Sequence, residues 1–511
     1  MKRKNRLIIL LVILVLAVGV TVGVSMIEEE REAIAESGEV VLEIPTESVT
    51  ALAWEYEDTS LSFTLSDGVW NWDDDPAFPV DEESVETLLS QFSALAAAFV
   101  IEDVTDYGQY GLDDPLCVIN ITADGEEYTI NVGDYSTLDY QRYISFGDGN
   151  VYLVNDDPMD YYDATLDDMM LNDSIPNFVN VTRVIFTGAE NYEIVRDEEG
   201  DSYLEDDVYY TDASGETTAL DKDKVNSYVQ YISGLSLTDY VTYDVTDDEL
   251  AEYGLDDPEL TVTIDYPDKE TDESETFTIS FSRSATDKLT DWDDVLAAME
   301  AEESDSAAAT EEPTDEEAVA YVRVEDSSII YEISYDTFSS IMEASYDDLR
   351  HTEVLQAEFE DVQSLDITIG GETYELTTIA PAEEEAGETD SADSEESTDD
   401  SEESTDDSEE SSDDSEAVWY YQGQEDISIS DVESALTGLN ISSFTSGTSH
   451  DEAEISLTVT LSLEGNPQIE IVLYRIDGTN CLAAVDGEEI GLVARTDVVE
   501  LIEAVNAIIL G

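Results

Sequence analysis

Basic residues, histidine and cysteine are all scarce in this chain, and each shortage closes off a class of function. Lys and Arg together number 17 against 127 Asp and Glu in 511 residues, a formal net charge of −110. Such a chain repels nucleic acid and anionic lipid head groups, so no nucleic-acid partner is expected, only loosely held cations. His351 and His450 are the only histidines. Triad chemistry needs a histidine base beside a nucleophile motif, and neither has one: His351 follows Leu349-Arg350 at an expected helix end, where a cation suits the dipole, and His450 lies in the loop Thr448-Ser-His-Asp. Cys117 and Cys481 sit in apolar runs and read as buried small hydrophobes, with pairing between them left open. No Cys/His spacing of a metal site occurs. The acidic clusters Trp72-Asp-Asp-Asp75 and Trp292-Asp-Asp294 lack the alternating ligands and central Gly of an EF-hand. Paired carboxylates are uninformative where acids are so abundant. No catalytic, cofactor-binding or metal-ligating residue is assigned, no cofactor is expected, and the chain reads as a non-enzyme.

What is present begins with a basic start, residues 1–6, followed by the uncharged run Leu7 to Ile27. About 20 apolar residues suffice to cross a bilayer as a helix, and a secretory signal has a shorter apolar region. The expectation is an uncleaved single-pass membrane helix over 7–27 and a linker over 28–47. Four basic residues in the first six positions put the N-terminus in the cytoplasm and the bulk of the chain outside it.

The hexapeptide Tyr110-Gly-Leu-Asp-Asp-Pro115 recurs unchanged as Tyr253-Gly-Leu-Asp-Asp-Pro258, 143 residues on. Its flanks repeat too. Val85, Leu88, Leu89, Phe92 and Leu95 have the spacing of one buried helix face, as do Val225, Tyr228, Val229, Ile232 and Leu235, and again Val432, Ala435, Leu436 and Leu439. Hairpin patterns precede each stripe. Further hairpins follow, such as Tyr143-Ile-Ser-Phe with Val151-Tyr-Leu-Val154, and a helix-like tail closes each copy at 158–170, 335–349 and 496–509. Three modules emerge, at 48–170, 181–350 and 361–511, the third diverged. The expected class is α+β, each module an antiparallel sheet with helices packed on one face. Two acidic insertions interrupt the modules, at 300–317 and 381–416. The second holds 19 acidic and no basic residues and reads as disordered.

In the hexapeptide, Gly111 and Gly254 suit a left-handed turn, Leu112 and Leu255 anchor it, Asp113, Asp114, Asp256 and Asp257 can cap amides, and Pro115 and Pro258 launch the next strand. The same aspartates could otherwise bind a cation or a partner.

Gly68-Val-Trp70, Tyr110 to Pro115, Gly133, Tyr143 and Val151-Tyr152 in the first module resemble the bacterial envelope family called domain of unknown function 4340. So do Tyr253 to Pro258, Tyr321-Val-Arg323 and Ile330-Tyr331 in the second. The resemblance implies an uncharacterised membrane-anchored envelope protein, a companion of ABC-type transport or gliding-like complexes, with no catalytic residue to carry over. The expected function is a non-enzymatic extracytoplasmic scaffold or binding protein. The alternatives are a carboxylate-based cell-wall or glycan hydrolase and a calcium-dependent surface adhesin.

Overall fold

The computed structural model describes residues 38–138, 140–215, 217–269, 271, 273–284, 288, 319–380, 417–425, 427–450 and 452–510. Period-two alternation is realised wherever the sequence shows it. Cys117, Ile119, Ile121 and Ala123 are buried along one strand, Leu260, Val262 and Ile264 along a second, and Ile455, Leu457, Val459 and Leu461 along a third. Each buried aliphatic side chain of this kind is worth about 1.5–3 kcal/mol. These strands therefore lie deep in their sheets.

The first sheet comprises β1 (Glu39–Leu42), β2 (Val49–Tyr56), β3 (Thr59–Ser66), β4 (Val69–Trp72), β5 (Leu95–Ile101), β6 (Cys117–Ala123), β7 (Glu126–Ser136), β8 (Gln141–Ser145) and β9 (Val151–Val154). The second comprises β10 (Arg183–Gly188), β11 (Tyr192–Arg196), β12 (Tyr209–Thr211), β13 (Thr218–Leu220), β14 (Tyr240–Thr242), β15 (Leu260–Pro267), β16 (Ser274–Ser282), β17 (Val319–Val324) and β18 (Ile330–Ser334). The third comprises β19 (Val362–Ile369), β20 (Glu372–Thr377), β21 (Tyr420–Tyr421), β22 (Gln424–Glu425), β23 (Ile441–Phe444), β24 (Ala453–Leu461), β25 (Gln468–Arg475), β26 (Asn480–Val485) and β27 (Glu488–Ala494).

The second sheet runs β13-β12-β11-β10-β15-β16-β17-β18-β14, and the third β22-β21-β20-β19-β24-β25-β26-β27-β23. Strand for strand these are one path. The first, β4-β3-β2-β6-β7-β8-β9-β5-β1, follows the same path without an outermost strand at one edge and with β1 added at the other. The described pairings within the sheets are antiparallel. By proximity the described residues fall into two compact units. One holds residues up to 176 with 234–261 and 277–339; the other holds 177–233, 262–276 and 340–510.

The α+β expectation is corrected: the chain is mostly antiparallel β-sheet, and three sheets carry it instead of helices packed on sheets. The helical stripes are real but short. The helix Glu82–Ser90 buries Val85, Leu88 and Leu89 and stops there, so Leu95, expected on its face, opens β5. The helix Lys222–Ser233 ends before Leu235, and the helix Ser430–Thr437 before Leu439. Helices of such length are marginal without tertiary support, and the runs that follow them pair as strands. The tail expected over 158–170 is two single 3₁₀ turns, Pro158–Asp160 and Asp167–Met169, and that over 335–349 is two short helices, Tyr335–Met342 and Tyr346–Leu349. Only the third tail is one long helix, Arg495–Leu510. β1 begins inside the segment expected to be linker. Among the described residues no helix is long and apolar enough to cross a membrane. The run 7–27 and the insertions 300–317 and 381–416 lie outside the described residues.

Candidate functional site

The two hexapeptides take up the same position in their sheets. Gly111 and Gly254 have φ of 68° and 71°. A Cβ on Gly111 would stand 2.6 Å from Asp134 Cγ, and one on Gly254 would run into the Arg283 carbonyl oxygen. Leu112 and Leu255 are buried, and Tyr110 and Tyr253 lie against Tyr143 and Tyr321 with ring centroids 5.0 and 4.8 Å apart. Lys288 Nζ donates to the carbonyl oxygens of Gly254 (3.0 Å) and Asp257 (2.6 Å). Packing accounts for the motif. Among the described residues, though, none of the four aspartate carboxylates caps a backbone amide, contrary to expectation.

Other acids are drawn into contacts between modules. Tyr243 Oη donates to Asp75 Oδ2 (2.9 Å), and Tyr240 Oη to Asp167 Oδ1 (2.9 Å). Tyr331 Oη accepts from the Asp173 amide (2.7 Å) and donates to Asp173 Oδ2 (3.2 Å). The cluster Trp72-Asp-Asp-Asp75 is thus partly a docking point for the second module. Trp292-Asp-Asp294 lies outside the described residues. Cys117 and Cys481 are both free and buried, and burial pushes their thiols up to about 12 and about 11.

The arrangement with the most chemical potential lies where the second module meets the third, and all its members belong to one compact unit. Asp207 precedes β12 and is 8 % exposed. Asp221 follows β13 and its Oδ1 accepts from the amides of Asp223 (2.9 Å) and Lys224 (3.1 Å), capping the helix Lys222–Ser233. The segment after the helix Tyr346–Leu349 carries His351 and Glu353. It is held on the other side by the Val354 amide donating to the Leu439 carbonyl (3.0 Å) and the Ile441 amide donating to Thr352 (2.7 Å).

His351 is 9 % exposed. Its Nε2 lies 2.9 Å from Asp207 Oδ1, whose other oxygen accepts from Ser202 Oγ (2.6 Å). Nδ1 faces Glu353 Oε2 at 3.6 Å, beyond hydrogen-bond reach. The Glu353 side chain is partly exposed, yet its Oε2 is closed off from solvent and has no hydrogen-bond partner. Donor atoms of Asp221, His351 and Glu353 all lie within 4.8 Å of one another. Burial opposes a charge on His351, but the hydrogen bond to Asp207 and the carboxylates of Asp207, Asp221 and Glu353 outweigh it and raise the imidazole above its ordinary range. One imidazole and two carboxylates could hold a metal ion, with Asp207 fixing the ring from behind.

No spacing announces this cluster: Asp207 and His351 stand 144 positions apart, and Asp207 is one acid among 127. His351 does follow a helix end, but its partners are side chains of the preceding module. His450, the other histidine, lies in the third module 3.5 Å from Glu489 Oε1 and against Tyr474.

The model of the family described as "Domain of unknown function (DUF4340)" matches residues 70–258 and again residues 213–458. The chain belongs to the DUF4340 family. The two DUF4340 matches start 143 residues apart (70 and 213), the same offset that separates Tyr110 from Tyr253. The first starts inside β4, the second just after the corresponding β12, and both run into the next module. The DUF4340 unit therefore spans the later part of one sheet and the earlier part of the next, including the stretch between them. No curated protein and no solved structure matches the chain.

Proposed function

We propose that this DUF4340 protein is a non-enzymatic scaffold or binding protein of the cell envelope, held at the outer face of the cell membrane through its apolar N-terminal run. The supporting observation is one sheet path built three times in a single chain. Repetition of a sheet multiplies a surface, and a multiplied surface suits a macromolecular partner better than a small substrate. The charge pattern agrees with this. Arg142 is spent on Asp157 (2.6 Å), Arg283 on Glu259 (2.7 Å) and Arg495 on Glu454 (3.0 Å), all largely shielded, so carboxylates dominate the outward surface. The partner is a membrane complex of the ABC-transporter kind that the family resemblance suggests. Co-purification of the full chain from mild detergent tests the proposal: a stable complex with membrane subunits is expected. Recovery of the chain alone under several detergents, or its release from membranes by alkaline washing, would overturn it.

A further inference from the structure

We infer that Asp221, His351 and Glu353 form a binding site for one divalent transition-metal ion of the zinc type, set at the meeting of the second and third modules. His351 Nε2 is engaged by Asp207, which leaves the ring's Nδ1 to face Glu353 Oε2 at 3.6 Å. One ligand atom each of Asp221, His351 and Glu353 lies within 4.8 Å of the other two, and a cation between them would compensate the two carboxylates. Glu353 Oε2, sealed from water and without a hydrogen bond, is the atom that such an ion would satisfy. Metal–ligand bonds of about 2.0–2.2 Å place tetrahedral donors roughly 3.3–3.5 Å apart, so small side-chain movements close the site. The donor set selects the ion. Calcium takes six or more oxygens, whereas an imidazole nitrogen with two carboxylates suits zinc, cobalt or manganese. A carboxylate behind the ligating imidazole, itself anchored here by Ser202, is the usual outer support of such a ligand. Asp221 comes from the second module, while Glu353 lies on the strand-like segment bridged to Asn440 of the third. The ion would therefore fasten one module to the next.

The test uses the full chain freed of metal with a chelator and titrated with Zn²⁺ or Co²⁺ in excess Mg²⁺ and Ca²⁺, which saturate loose sites on the acidic surface. One equivalent should bind, raise the melting temperature and, for Co²⁺, give d–d absorption. His351→Ala should weaken the binding at least about 100-fold, and Asp207→Asn, which touches no ion, about 10–100-fold. Should His351→Ala fail to fold, Asp221→Asn and Glu353→Gln serve in its place. The asparagine preserves the helix cap while weakening ligation, and each variant should lose the equivalent. Uptake unchanged in these variants, or abolished by millimolar Mg²⁺ and Ca²⁺, would overturn the site and assign the ions to the general carboxylate surface.

Discussion

The two places where successive modules meet solve the same electrostatic problem differently. Between the first and second, carboxylates are met by neutral hydroxyls: Asp75 by Tyr243, Asp167 by Tyr240, Asp173 by Tyr331. Between the second and third, Asp207, Asp221 and Glu353 surround one imidazole, while Arg350 pairs with Asp347 (3.3 Å) and lies over the faces of Phe444 (4.1 Å) and Tyr346 (4.8 Å). A chain with 28 tyrosines and only 17 basic residues has more hydroxyl donors than cations to offer. Burial, with Asp167 beside it, pushes Tyr240 up to about 12, so its hydroxyl stays protonated at any physiological pH. The second is short of positive charge. A tyrosine hydroxyl satisfies a carboxylate through its own hydrogen bond; at the second meeting Glu353 Oε2 is left without one.

The comparison breaks first at Phe78, which is buried and lies edge-on to both Trp72 (5.5 Å) and Tyr243 (5.2 Å). Phe78→Ala should lower stability by about 3–5 kcal/mol in denaturant titrations. Thiol labelling localises the damage: Cys117 should become reactive sooner while Cys481 keeps its native protection. Equal acceleration at both would mean that the two ends of the chain unfold as one. Next in size is Asp207→Asn, measured in chelator so that only protein groups contribute. Loss of a charge-assisted partner for His351 should cost about 1.5–3 kcal/mol, this time with Cys481 exposed before Cys117. Smaller still is Tyr331→Phe, which removes the acceptor of the Asp173 amide and should cost about 1–2 kcal/mol. Full stability in that variant would show that the hydroxyl contacts of the first meeting are incidental.

How much of this could be read in advance depends on range. The strands β6, β15 and β24 are legible because alternation is a local property and one face of each is buried. The hexapeptide betrays the repeat because Gly111 and Gly254 answer to a fixed backbone geometry. What misled was the end of the first helix. Leu95 keeps the helical spacing from Leu88, but nothing local distinguishes a helix that continues from a strand that starts, and the pairing of β5 with β9 decides it. The Asp221, His351 and Glu353 cluster was illegible for a different reason. Asp221 lies in the second module and His351 and Glu353 in the stretch that follows it, 130 and 132 positions on, and abundant acids hide the few that matter.

The smallest effect concerns a loop that contributes no residue to either meeting, and it serves as their control. Asp477, in the turn between β25 and β26, accepts from the amides of Thr479 (2.7 Å) and Asn480 (2.8 Å) and from Thr479 Oγ1 (2.9 Å). Those hydrogen bonds, the amide of Thr479 first, lower its carboxyl from 3.8 to about 2. A group whose folded value is depressed adds stability that is complete above its unfolded value and is lost as the pH falls through the folded one. The turn should therefore keep its full strength above pH 4 and loosen only as the pH drops toward about 2. The amide resonances of Thr479 and Asn480 would report this directly, and Asp477→Ala should abolish their titration. A midpoint at the ordinary aspartate value would show that the turn does not hold its carboxylate. In that case acid sensitivity measured for the whole chain would have to be sought where carboxylates meet tyrosine and histidine.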